Sequence, residues 1–581
     1  MQILLFFPRP EAAKILLLPR IRNLGGNILA GLLFLLSCFT LSHAVTVSVD
    51  PGVKYQTFEG WGTSLCWWAH QEGGGSQAYV NRIADVLMDP DSGLGYSVFR
   101  YNIGGGDQPG HTEIEAARAV PGYKTTEKGT YDWTADKNQR NIVAALAAKG
   151  KKINQPVIWE AFSNSPPWWM TVSGCADGNP SGGDNLKADY FDDFADYLTE
   201  VVKHFRDSLG ITFRTVDPFN EPSAGWWKGT NNQEGCNFKS NQPKMVKLLG
   251  KSLVQKGLFP ETSVSAADEN AIDAAVSGIK TYDDSALSYV TQINTHGYAG
   301  RSTANFTAFA NVAASKNKIP WMSESGPLNG TGGQDIAMFM AQNIIQDLRL
   351  MKVCAWIDWQ SYAGGGTWET IRVDKTSMAI IPARRCYMQA AFGRFIRPGS
   401  RIIQTSDSNT LAALVPRTGN LAIIVRNGLS KSVDYTVDLS KVSRLPAAAH
   451  AFQFLVSDYK KLSKLPDIAI TNKQFALTAP AQSVTSCVVP GAADTGGTAV
   501  SFTNENHPAP RAASVMGRLV AGGSLAKAIM MPPANATGLE VYDLRGKMVL
   551  SAPIKGSIPA GHGSIGPTLH SSEIYYFKFR F

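Results

Sequence analysis

At 581 residues the chain is too long for a single hydrophobic core, so two or three domains are expected. Its formal charge of +8 sits at the ends: residues 1–44 carry four basic and one acidic residue, residues 511–581 carry eight and three, and the stretch between is neutral. A neutral body lacks the basic face that phosphates demand, which argues against a nucleic-acid partner and suits an uncharged substrate.

Lys14, Arg20 and Arg22 precede the apolar run "ILAGLLFLLSCFTL", which ends in "SHA". A basic flank, a short apolar run and small residues at Ser42 and Ala44 describe a secretory signal cleaved after Ala44. The run is too short for a membrane span, and the chain is expected to be secreted or held at the cell surface. Six cysteines then remain, at 66, 175, 236, 354, 386 and 487. None has zinc-site spacing, and there is no His-Glu-x-x-His. Cys175 and Cys236 lie in Gly-rich polar loops, where a disulfide is expected in an exported chain. The other four lie in apolar runs and read as buried thiols.

"VTVSVDP", in residues 45–57, is an orphan strand expected to pair into a later sheet. From 58 to 395, eight short apolar runs read as strands: "TFEGWGTSL", "SVFRYNIG", "PVIWEAFS", "TVDPFNEP", "SVSAADEN", "QINTHGY", "IPWMSES" and "VCAWIDWQ". Helical periodicity lies between them, clearest in "QRNIVAALAAKG" and in the stretch that ends at Gly210. Eight strand–helix units predict an α/β fold, a (β/α)8 TIM barrel. "GGGDQPG" has no helix behind it and reads as a loop rather than a phosphate cradle. From 396 to 490, short strands spaced by turns predict a β-sandwich. Residues 491–510 have linker composition, and 511–581 form a small basic β-rich unit.

All thirteen tryptophans fall between Trp61 and Trp368. Six form the doublets Trp67–Trp68, Trp168–Trp169 and Trp226–Trp227, each just beyond a strand. In a barrel that is the face where active sites are built. A lone Trp usually packs a core; three doublets at matching positions point to platforms for sugar rings, which stack on indole.

Glycosidic bond cleavage needs a proton donor and a second carboxylate. Glu221 closes the fourth strand and Glu324 the seventh, so their side chains are expected to face each other across the barrel mouth. Asn220 can bind a sugar hydroxyl beside Glu221. His296 and Tyr298, closing the sixth strand, are expected to hydrogen-bond Glu324 and keep it ionised, and Arg100 adds positive charge. Glu59, Glu160, Asp268, Glu269 and Asp358 also lie near strand ends but lack such neighbours.

At these residues the chain resembles a known family. "FEGWGTSLCWWA", "FSNSPPWWM", "FNEPSAGWW", "QEGCNF", "DEN", "HGY" and "SESG" occur in the order seen in family 30 glycoside hydrolases, over roughly 45–490, with the closest match to the endo-β-1,6-galactanases. The resemblance implies a retaining hydrolase with Glu221 as acid/base and Glu324 as nucleophile. Asn220, Arg100, His296, Tyr298 and Trp359 match supporting residues, and Trp67, Trp168, Trp226 and Trp227 are added as sugar contacts. It implies a polysaccharide or oligosaccharide substrate, no metal and no organic cofactor, and a monomer is expected. After Glu324 this chain has Ser325-Gly326 where family members tend to carry an aromatic residue, so the linkage and endo or exo action stay open. Xylan, β-glucan or a β-fucoside are alternative substrates, and a non-catalytic carbohydrate-binding barrel is the alternative from another class. "VYDLRGKMV" and "IYYFKFRF" resemble C-terminal units that some bacteria attach to exported proteins, which implies cell-envelope sorting machinery as a partner.

Overall fold

Eight parallel strands close on themselves: β2 (Gly60–Ser64), β3 (Val98–Asn102), β4 (Ile158–Phe162), β5 (Thr215–Asp217), β6 (Ser263–Ala271), β7 (Val290–Ala299), β8 (Ile319–Ser325) and β9 (Ala355–Asp358). The last pairing, with Gly60 opposite Ala355 and Thr63 opposite Asp358, shuts the barrel. The structure, a computed structural model, describes residues 44–327, 333–363, 368–374 and 376–492, and the backbone of four strands between 516 and 580. The expected signal, apart from Ala44, and the linker beyond 492 lie outside the described residues.

Every one of the eight runs read as strands is a barrel strand. Strands β2 and β3 are buried along their whole length, because a parallel sheet is covered on the outside by helices and filled on the inside by side chains. One longer helix follows each strand: α1 (Gln77–Met88), α2 (Lys137–Lys152), α3 (Phe191–His204), α4 (Gln242–Gln255), α5 (Ile272–Lys280), α6 (Thr303–Ser315), α7 (Ile336–Gln346) and α8 (Arg384–Gly393). Helix α3 shows the cause. Phe191, Phe194, Ala195, Leu198, Val201 and Val202 recur at helical spacing and are all buried, with Asp192 and Asp193 on the outer face. A π turn carries it to Gly210, whose φ of 65° ends it at the expected stop.

The second body is one ten-stranded sheet, built from β1 (Val45–Thr57), β13 (Arg401–Thr405), β14 (Thr410–Val415), β15 (Asn420–Asn427), β16 (Val433–Asp438), β17 (Ala448–Leu455), β20 (Gln474–Ala479), β21 (Ser483–Val489) and two smaller strands. The orphan strand β1 runs parallel to β16, with Val45 opposite Tyr435, and antiparallel to β13, with Val49 opposite Thr405. It therefore joins the layers of the sandwich just before the chain enters the barrel. Alternation along the strands serves two cores at once. Leu421, Ile423 and Val425 pack inside the sandwich with Val437 and Phe475, whereas Ala422 and Ile424 face the barrel core. Arg426 Nε donates to the Met338 carbonyl of α7 (2.9 Å), and Ser486 Oγ to the Ala391 carbonyl of α8 (2.6 Å).

Strands β22 (Met516–Val520), β23 (Gly538–Asp543), β24 (Met548–Pro553) and β25 (Ile574–Arg580) form a separate antiparallel sheet in the order β22-β25-β23-β24. Among the described residues, no helix is long and apolar enough to cross a membrane.

The expected Cys175–Cys236 disulfide is not formed; both are free thiols. Buried Cys236 turns its sulfur to the Asn237 carbonyl, 3.5 Å away, while Cys175 faces Gln108 of a neighbouring loop at 3.8 Å. Cys66, Cys386 and Cys487 are buried as expected, and Cys354 is half-buried.

Candidate active site

Beyond β5 the chain leaves the barrel through Pro218, Phe219 and Asn220 to Glu221, whose φ is 51°. That left-handed conformation is uncommon outside glycine and persists only where surroundings enforce it. Here they do. The Glu221 N–H donates to the Asp268 carbonyl (2.8 Å), and the indole of Trp227 donates to the Glu221 carbonyl (3.0 Å). Asp268 is itself left-handed, with φ of 54°.

Irregularities in β6 and β8 aim the remaining groups. The β6–β7 register runs from Ala267 opposite Asn294 to Glu269 opposite Thr295, leaving Asp268 unmatched. The β7–β8 register steps from Thr295 opposite Met322 to His296 opposite Glu324, leaving Ser323 unmatched. Such bulges re-aim side chains next to active sites. The two extra residues bond to each other, Ser323 Oγ donating to Asp268 Oδ1 at 2.6 Å.

The two glutamates meet as expected. One oxygen of Glu221, one of Glu324 and a ring nitrogen of His296 all lie within 4.8 Å of one another. Glu221 accepts from Trp226 Nε1 (3.1 Å) and Asn270 Nδ2 (2.7 Å), and His296 Nδ1 is 3.1 Å from it. Glu324 accepts from the Tyr298 hydroxyl at 2.8 Å. His296 corrects the sequence expectation. Its hydrogen bond goes to Glu221 rather than Glu324, which stands 3.6 Å away, because the bulge in β8 sets Glu324 beyond ideal reach.

Arg100 is fully buried, and its hydrogen bonds go below the cleft, to Glu160 (2.6 Å) and Asp268 (2.7 Å). It comes only to 3.9 Å of Glu324, so it positions the floor of the site and supplies field rather than contact. Of the weaker acid candidates, Glu160 and Asp268 serve Arg100, Glu269 holds Ser223 and Gln242, and Asp358 holds Thr370 and Arg385.

Burial pushes the Glu324 carboxyl up to about 7; the neighbouring Glu221 adds to this, and His296 and Arg100 oppose it. Burial alone would lower His296, but Glu324 and Asp268 hold it well above its usual range. Both His296 nitrogens face carboxylates, with Nε2 3.2 Å from Asp268. An imidazole protonated on both sides has no lone pair for a metal, so the three-residue cluster reads as a proton-sharing group.

The cleft encloses about 420 Å³ and is lined by Trp67, Arg118, Asn164, Asn220, Glu221, Trp226, Gln233, Tyr298, Glu324, Trp359, Gln360 and Trp368. Trp67 Nε1, Asn164 Oδ1, Asn220 Oδ1 and Glu324 Oε2 are buried there without a hydrogen-bond partner among the described residues. Leaving such groups unpaired costs roughly 1–3 kcal/mol each, which hydroxyls of a ligand can offset. A larger cavity of about 560 Å³, lined in part by Tyr387, Tyr459 and Lys460, gathers Arg372, Arg384 and Arg385 with a single acid, Glu369, rather than a facing pair.

The tryptophan doublets divide. Trp67 and Trp226 reach the cleft, Trp226 being 43 % exposed, while Trp68 and Trp227 are buried in the core. Trp227 is therefore a support for the Glu221 backbone, not a platform. Trp168 does not line the cleft; it is half-buried against the barrel core, and its N–H donates to the Gly105 carbonyl at 3.2 Å. Trp168 and Trp169 open a single helical turn and Trp68 opens a short helix after Trp67, so neighbouring rings in these doublets leave the backbone in different directions. Trp359 lines the cleft edge-on to Trp67, with ring centroids 5.1 Å apart. Sequence reasoning did not name Asn164, Arg118, Gln233, Gln360, Trp368 or Asn270 as site residues, although Asn164 lies in "FSNSPPWWM", Gln233 in "QEGCNF", Asn270 in "DEN" and Gln360 in the strand run "VCAWIDWQ".

Residues 44–313 match the family model described as O-Glycosyl hydrolase family 30. An endo-β-1,6-galactanase from Hypocrea rufa is 31% identical over 427 residues, 68% of this chain and 84% of that protein. An exo-β-1,6-galactobiohydrolase from Bifidobacterium longum subsp. longum is 24% identical over 75% of this chain, which spans 38% of that longer relative. The catalytic domain of family 30 xylanase C from Talaromyces cellulolyticus shares the fold, with a TM-score of 0.60 at 18% identity over 76% of this chain and 99% of that one. With its closed barrel, side sheet and facing glutamates, the chain belongs to glycoside hydrolase family 30.

Proposed function

We propose that the protein is an exported retaining hydrolase of β-1,6-linked galactan. The observation that carries the mechanism is the approach of Glu221 and Glu324, an oxygen of each within 4.8 Å of the other. Retaining enzymes set their carboxyl groups about 5–5.5 Å apart, and inverting enzymes about 6.5–9.5 Å apart to admit a water. The short spacing supports direct attack.

Two carboxylates this close disfavour each other's ionised form, and burial together with the neighbouring Glu221 raises Glu324 to about 7. Glu221, beside the departing glycosidic oxygen in this assignment, acts as the acid that protonates it. Glu324, supported by the Tyr298 hydroxyl and the field of Arg100, attacks the anomeric carbon and forms a glycosyl-enzyme. Glu221, now ionised, then takes a proton from water, which displaces Glu324 from the sugar. His296 and Asn270 hold Glu221 in place between the steps.

The names of the two relatives, both acting on β-1,6-galactosyl bonds, support the substrate. Incubation with β-1,6-galactan, xylan and β-1,6-glucan tests it: galactooligosaccharides are expected from the first alone, and release from xylan or glucan at equal rate overturns the assignment. NMR of the first-formed anomer tests the stereochemistry, with β product expected and α product fatal to double displacement. The basic flank and apolar run before Ala44 support export. Amino-terminal sequencing of protein recovered outside the cell is expected to begin at Val45. The C-terminal sheet is proposed as a sorting or anchoring unit, so deleting residues 493–581 is expected to change where the protein resides and not its rate of hydrolysis.

A further inference from the structure

Beside the cleft, the loop after β3 carries Asp107, His111 and Glu113, and the loop after β4 carries Cys175 and Asp177. His111 Nδ1 lies 2.9 Å from both carboxylate oxygens of Asp107. Its other nitrogen, Nε2, is 3.3 Å from Glu113 Oε2 of the same loop and 3.6 Å from Asp177 Oδ2 of the second. One donor atom each from His111, Cys175 and Asp177 lie within 4.8 Å of one another. Asp177 is fully buried, and among the described residues neither of its carboxylate oxygens has a hydrogen-bond partner. A charged group removed from water without partners is costly, and buried carboxylates are normally paired or bound to a cation.

We propose that His111 Nε2, Cys175 Sγ and Asp177 form a zinc site, with Glu113 supplying the fourth ligand. The donor set selects the metal: thiolate and imidazole favour zinc, whereas magnesium and calcium take oxygen ligands. Asp107 supports His111 from behind, accepting the Nδ1 proton and leaving Nε2 as the lone-pair nitrogen, the arrangement that orients histidine ligands elsewhere. Bonds of roughly 2.0–2.3 Å in a tetrahedron put ligand atoms about 3.3–3.8 Å apart, and the two His111 distances already fall in that range. On binding, the Cys175 thiol releases its proton to solvent and its thiolate takes the metal. The zinc cross-links the two loops, the first of which also carries Arg118, over the Trp67 ring at 4.9 Å in the cleft. The site is separate from the glutamate pair and stands independently of the assigned reaction.

The full chain without an affinity tag, stripped with chelator and then offered zinc, is expected to retain about one zinc per chain. Cobalt is expected to produce a thiolate-to-metal charge-transfer band. Zinc is expected to protect Cys175 from alkylation at least tenfold, as mapped by peptide mass spectrometry, and to raise the melting temperature. Cys175→Ser and Asp177→Asn should lose these effects, whereas Glu324→Gln keeps them, which excludes the catalytic cluster as the binding place. Should Cys175→Ser fold poorly, the cobalt band and the alkylation map of the unmutated chain decide alone. A chain that binds no zinc, or binds it with Cys175 as reactive as before, overturns the proposal.

Discussion

The two ends of the barrel hold their acids in opposite ways. At the N-terminal end, Glu59 accepts from Arg214 Nη1 (2.8 Å) and Trp321 Nε1 (2.6 Å), and the guanidinium lies over the indole at 4.6 Å. At the C-terminal end, Glu221 and Glu324 face each other, and the nearest guanidinium directs its hydrogen bonds to Glu160 and Asp268 beneath them. A carboxylate matched by a cation and an indole ties strands together. Two carboxylates facing one cleft disfavour being ionised together, which raises Glu324, and acid–base chemistry uses such a pair.

Substitution at each end sharpens the contrast. Glu324→Gln is expected to lower kcat by about 10⁴-fold or more, and Glu221→Gln by about 10²–10⁴-fold, with azide restoring turnover of an activated aryl glycoside. Glu59→Gln should leave kcat within about twofold and lower stability by roughly 1–3 kcal/mol, since it weakens a partly buried charge-assisted contact. Loss of activity in the Glu59 variant, with its fold intact, would erase the distinction.

Titration comes next in size. A carboxyl raised from 4.5 to about 7 prefers its protonated form in the fold. Its contribution to stability is fully present below pH 4.5 and is lost as pH rises through about 7. Glu324→Gln removes that penalty and is expected to be more stable than the natural chain by on the order of 2–3 kcal/mol at pH 8, with the difference vanishing below pH 4.5. Denaturant melts at both pH values measure this, and a pH-independent difference would count against it. The smallest effect is at Trp226. Trp226→Phe keeps a ring but removes the donor to Glu221, and a three- to tenfold drop in kcat/KM is expected, about 1 kcal/mol, with an unchanged melting temperature.

Much of this was legible beforehand for a definite reason. Parallel strands buried on both faces read as short apolar runs, so all eight could be found by pattern, and Gly210 marked the end of α3. Glu221 and Glu324 stood out among several strand-end acids because one sits in Asn-Glu-Pro and the other lies beside the strand that ends in His296 and Tyr298. Trp168 and Trp227 misled, because a doublet does not say which ring turns inward. His296 misled too, since one bulge decides which of two carboxylates it meets. The disulfide expectation failed because polar loop composition carries no information on where a thiol points.

The order of residues alone determined the barrel, the attached sandwich and the identity of the two facing acids, since periodicity and strand-end position are local properties. Only the folded chain decided which groups surround those acids. The left-handed backbone at Glu221 and Asp268, the unmatched Ser323, and the diversion of Arg100 to Glu160 arise from contacts between strands far apart in sequence. A bulge shifts register by one residue and reverses the face of a side chain, and no single segment records that shift.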